Sequence, residues 1–105
     1  MQPDTCHPLG ENEILNAENK AYPLFEGTLY GDKILTAKFS KRISCAIKHL
    51  PLRLRMHYIH DTSVAIAHGI RKDPTFILDG KIVFEGLCAS ETIMAYFEKL
   101  LNRKK

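Results

Sequence analysis

The feature that most constrains this chain is the dipeptide Asp79-Gly80, set between Thr75-Phe76-Ile77-Leu78 and Lys81-Ile82-Val83-Phe84. A two-residue hairpin loop needs left-handed backbone, which Asp and Gly tolerate, and both flanking runs are strand formers, so the segment predicts a tight antiparallel hairpin. A lone hairpin is marginal in water and must pack on something else. Upstream, residues 33–39 are rich in strand formers, and Ser40 offers an N-cap to a helix with apolar positions Ile43, Ala46, Ile47 and Leu50, stopped by Pro51. Residues 52–58 alternate apolar with polar, as a strand with one solvated face does, and are placed at a sheet edge. Asp61 or Thr62 caps a short helix over residues 63–68, closed by Gly69. After Gly86, Ser90 caps a last helix whose Ile93, Met94, Phe97, Leu100 and Leu101 form one stripe. The predicted order is β-α-β-α-β-β-α, an α/β fold with a mixed four-stranded sheet whose first strands are joined by right-handed crossovers.

Residues 1–31 hold three of the five prolines and three of the six glycines. They read as an N-terminal extension with one short helix over residues 11–19, preceding a domain of residues 32–105. The 45% hydrophobic and 26% charged content is that of a soluble globular domain. No apolar run approaches the ~20 residues of a membrane helix. The first residues lack a basic region followed by an apolar stretch, so a cytoplasmic location and no membrane partner are expected. The net charge of +3 is mild, and its densest cluster, Asn102-Arg103-Lys104-Lys105, has no aromatic residues interleaved for base stacking. Nucleic acid is therefore not an expected partner.

Cys6, Cys45 and Cys88 are an odd number, about forty residues apart and without a C-x-x-C spacing, which argues against a disulfide scaffold. Cys6 sits on a tether that can reach Cys45 or Cys88. A four-ligand metal centre would need a histidine beside the three thiolates, and His57 and His60, three apart on a strand, point to opposite faces unless the strand ends between them. No metal is expected.

The stretch from Gly69 to Gly86, with Asp73-Pro74-Thr75 and Asp79-Gly80-Lys81, resembles the "G-[IV]-x-x-x-P-T-…-DGK-…-G" pattern of the thioredoxin-like superfamily, in the branch of the glutaredoxins. The likeness covers roughly residues 33–101. It implies a cis peptide before Pro74, and a binding surface made by Asp73, Pro74 and Thr75 with the start of the first helix. Phe39-Ser40-Lys41 is similar to the "FSK" that precedes C-x-x-C in glutaredoxins. On that pattern Ser44 and Ile47 stand where the two cysteines would be, and without sulfur there is no dithiol exchange. Shifted by one residue, Cys45 becomes the single catalytic thiol near a helix N-terminus with Lys41, Arg42 and Lys48 around it, a setting that favours thiolate. Packing of Cys45 as a small buried residue is the competing reading. Asp73 opposes a thiolate or an anionic ligand beside it. Cys88, at the approach to the last helix, is a candidate accessory thiol. In glutaredoxins that turn holds the glutathione carboxylate, but only Gly86 and Ser90 match, so no cofactor is expected, with glutathione the one the resemblance raises.

Three functions are compatible with these residues: a binding module with a degenerate active site, taking a protein or peptide at the cis-proline surface; a one-cysteine thiol-disulfide oxidoreductase or glutathione-linked enzyme using Cys45; and a metal or iron–sulfur protein. The first fits Ser44, Ile47 and Asp73 together. Oligomeric state is not set by these residues.

Overall fold

The computed structural model describes residues 7–103. Its elements are β1 (Ile14–Leu15), β2 (Leu24–Tyr30), α1 (Lys33–Ile47), β3 (Arg53–Ile59), α2 (Thr62–Ala67), β4 (Thr75–Leu78), β5 (Lys81–Glu85) and α3 (Ser90–Arg103). The chain is α/β, with three helices and one mixed five-stranded sheet in the order β1-β3-β2-β4-β5. β2 and β3 run parallel, while β1, β4 and β5 each join antiparallel to their neighbours.

The β-α-β-α-β-β-α order holds from β2 onward, but its first strand lies nine residues earlier than the sequence pattern suggests. Residues 33–39 are the start of α1 and not a strand. Their strand-forming composition is overridden by burial at Thr36, Phe39, Ser40, Ile43, Ser44 and Ile47, a helical spacing that runs unbroken to the end of the helix. Asp32, not Ser40, caps it, its carboxylate accepting from the amides of Ile34 at 2.9 Å and Leu35 at 3.3 Å.

The central strand is β2, inside the stretch read as an extension. Phe25 and Leu29 point into the core and alternate with half-buried residues, as a strand paired on both sides requires. Gly27 is in that strand for want of room: a Cβ there would lie 2.8 Å from the Phe76 ring and 3.1 Å from Leu54 Cδ1. No domain boundary therefore falls at residue 31.

The helix expected over residues 11–19 is absent. Asn12 and Asn16 adopt left-handed φ of 66° and 60° and turn the chain either side of β1, which lies along the outer side of β3. Thus β3 is not a free edge. Tyr58 and Ser40 anchor this arm, the phenol donating to the Leu9 carbonyl and bonding to Ser40 Oγ at 2.7 Å, while the Leu9 amide donates to Ser40 Oγ at 2.8 Å.

The hairpin is as predicted. Asp79 and Gly80 both take positive φ, 49° and 85°, between β4 and β5. The pairing steps from Ile77 with Ile82 to Phe76 with Phe84, so Val83 is the extra residue of a bulge on the outer strand. α1 and α3 pack together. Phe39, Ile43 and Ile47 of α1, Ile93 and Phe97 of α3, and Phe25, Leu54, Met56 and Phe76 of the sheet make one core, each at most 1% exposed. Met94 departs from the predicted stripe and stays 37% exposed. The Asp73-Pro74 peptide is cis, as the resemblance implied.

Candidate functional site

Parallel strands β2 and β3 end side by side, and beyond them the chain diverges into α1 and α2. In open α/β sheets a crevice forms at such a place, outside the carboxyl ends of the strands. Here it is a cleft of about 500 Å³, walled by residues 30–32, His60 and Asp61, Ala65 and Ile66 of α2, and the loop of residues 70–73. That volume is in the range of small-ligand sites, roughly 300–1,000 Å³.

Each wall is fixed by backbone contacts. The Asp32 amide donates to both carboxylate oxygens of Asp73, at 3.1 and 3.2 Å. Gly31 has φ 141°, and a Cβ there would meet Asp73 Oδ1 at 2.0 Å, so only glycine admits this approach. His60 donates through Nδ1 to the Gly31 carbonyl at 2.8 Å, which leaves Nε2 as the acceptor of the neutral ring, and its ring stacks on Tyr58 at 6.0 Å. Asp61 caps α2 by accepting from the Ser63 amide at 2.9 Å. On the loop, Thr75 Oγ1 donates to the Lys72 carbonyl at 2.7 Å and the Gly86 amide to the Pro74 carbonyl at 2.7 Å.

The three aspartates thus spend oxygens on backbone amides, whereas exposed Arg71 and Lys72 make no ion pair among the described residues. Among the described residues, no cysteine or serine lines the cleft. A smaller cavity of about 170 Å³, bordered by Pro8, Leu9, Lys33 and Tyr58, shares His60 with it.

The sequence pattern predicts Ser44 and Cys45 beside Asp73, Pro74 and Thr75. They are not together. Ser44 and Cys45 lie in the last turn of α1, twelve and thirteen residues past its cap Asp32, about 18 Å along the axis at 1.5 Å per residue. Their end of the helix presents carbonyls, so the dipole support expected for a Cys45 thiolate is reversed in sign. Ser44 is 4% exposed, and its carbonyl accepts from the Lys48 amide at 3.1 Å. Cys45 is disulfide-bonded, while the expected tether at Cys6 lies outside the described residues.

Asp73 does border the cleft, but Pro74 and Thr75 are buried and support the loop from beneath. Cys88 is a free thiol, half-buried against the core. Burial pushes its pKa up, against a smaller lowering by Arg42, whose guanidinium donates to the Cys88 carbonyl at 3.0 Å. That is the opposite of an activated thiol. Among the described residues, no three His, Cys, Asp or Glu side chains converge as a metal site would need.

Sequence reasoning missed Gly31, Asp32, His60, Ile66, Arg71 and Lys72 as the residues framing a cleft. Gly31-Asp32 ahead of an apolar series was a legible cap signal, whereas residues 30–32 and 70–73 border one cleft only because β4 pairs beside β2. No family model, no curated protein and no solved structure matches the chain. No helix among the described residues is long and apolar enough to cross a membrane.

Proposed function

We propose that this chain is a thioredoxin-like domain of the glutaredoxin branch that has no thiol at its active-site position and acts as a binding module for an extended peptide or protein partner. Support for the fold comes from the sequence of elements β2-α1-β3-α2-β4-β5-α3, with β2 central, β3 parallel to it, and β4 and β5 antiparallel beyond. Pro74 opening β4 beside the start of α1 supports it further.

The observation that carries the function is what occupies the start of α1. In the superfamily, the nucleophilic thiol stands at that helix start, facing the proline loop. Here the place is filled by Asp32, whose carboxylate caps the helix and whose amide is held by Asp73. A carboxylate so placed cannot form a mixed disulfide. Ile66 is 67% exposed on one wall of the cleft, and Arg71 and Lys72 rim another. Such a surface can hold a partner's chain without acting on it.

The one-cysteine reading built on Cys45 loses the support of a positive helix start, since Cys45 lies in the last turn of α1. Titration of the ¹⁵N-labelled protein with a random decapeptide pool tests the binding reading. Amide shifts concentrated at residues 30–32, 60–66 and 70–73 are expected, and binding that leaves those amides unmoved would defeat it.

A further inference from the structure

Charge is segregated along this chain: residues 33–60 hold seven Lys and Arg, and no Asp or Glu. The fold sorts six of these cations into two groups. The three arginines turn inward or along the sheet, Arg42 to the Cys88 carbonyl, Arg53 to the Tyr22 and Lys20 carbonyls, and Arg55 to Glu26 at 2.9 Å. The lysines of α1 face outward. Lys33, Lys38 and Lys41 are exposed and make no ion pair among the described residues.

At about 100° per residue these three fall within about 140° of the helix circumference and span about 12 Å of its axis. A helix face that merely keeps a protein soluble intersperses both signs, and gains from acidic partners three or four residues from each lysine. α1 has no such partner anywhere along its length.

We propose that the outward face of α1 is a docking surface for an acidic polypeptide segment of a partner protein, through Lys33, Lys38 and Lys41. The 12 Å spanned matches two turns of a facing helix or four residues of an extended strand. Flexible ammonium groups suit carboxylates presented at variable spacing. A single-stranded nucleic acid would call for aromatic platforms on this face, and α1 has only Phe39, which is buried. A lipid surface would call for an apolar flank, and the only large apolar side chain exposed on α1 is Ile34. Lys33 follows the cleft residue Asp32 directly, while Lys38 and Lys41 lie further along the helix and outside the cleft lining, so docking on this face does not rest on the reading of the cleft.

The test uses a fluorescent polyglutamate peptide titrated into the full chain at low and at physiological salt. Binding is expected to weaken with salt, as screening over about 8 Å at 0.15 M requires. The triple variant Lys33→Gln, Lys38→Gln, Lys41→Gln is expected to lose about tenfold in affinity, the sum of three exposed charge pairs. A control removing equal charge elsewhere, Lys20→Gln, Lys81→Gln, Lys99→Gln, is expected to lose less than about twofold. Equal losses in the two variants would overturn the proposal, since net charge alone would then explain binding. Tighter binding of a poly-dT oligonucleotide, or of vesicles containing anionic phosphatidylglycerol, would overturn the choice of partner.

Discussion

The two ends of α1 face opposite circumstances. At its start, Asp32 and Lys33 are exposed, Ile34 is 74% exposed, and the turn borders a cleft held open by Gly31 and Asp73. At its end, Ser44 and Ala46 are no more than 6% exposed and Ile47 is fully buried in the core. The cysteine on this helix, itself half-buried and disulfide-bonded, is at this sealed end, and the cleft is at the open one. A residue capable of chemistry matters only where the fold gives it a substrate, and here the fold gives that place to carboxylates.

Substitutions at the two ends sharpen this contrast. The largest effect is expected from Ile47→Ala, which opens a cavity in the core and costs about 2–5 kcal/mol in denaturant unfolding. A cost below about 1 kcal/mol would mean the sealed end is looser than described. Next is Gly31→Ala at the open end. The positive φ and the displaced Asp73 carboxylate together cost about 2–3 kcal/mol, and ligand binding in the cleft falls with them. Asp32→Ala removes the cap and costs about 1 kcal/mol, with Asp32→Asn recovering most of it. Ile34→Ala, at an exposed site, changes stability by less than about 0.5 kcal/mol.

The remaining thiol gives a pH-dependent check. Burial holds Cys88 protonated beyond the usual thiol range, so its alkylation at pH 8 is slower than that of a free cysteine and keeps accelerating at higher pH. In the unfolded chain this thiol ionises first. Its stabilising contribution is therefore lost as pH rises through the ordinary thiol range toward the folded value. An alkylation rate at pH 8 equal to that of a free cysteine would contradict the burial.

Much of the second half of the chain was legible because its signals are local. Asp79-Gly80 needs only its own left-handed backbone, Asp61 and Gly69 bracket α2, and Ile93 and Phe97 sit on one helical stripe. The first half was not, because its signals conflict locally and are settled by tertiary contacts. Ile34, Leu35 and Phe39 favour a strand by type, yet only a helix puts Phe39 and Ile43 on the same core face. Gly27 looks like a break and is instead the gap into which Phe76 packs. That misplacement carried Ser44 and Cys45 to a helix start they do not occupy, and with them the candidate site. Asp73 borders the cleft, and its partner Asp32 is reachable only once β2 is known to lie beside β4.

The most direct measurement is reduction of insulin disulfides by the native chain with glutathione as reductant, beside its Cys45→Ser and Cys88→Ser variants. If the open end of α1 binds and neither the Cys88 thiol nor the Cys45 disulfide takes part in exchange, all three proteins leave the rate at that of glutathione alone. A rate above that background that Cys45→Ser abolishes would place chemistry at the sealed end and contradict a binding module without a catalytic thiol.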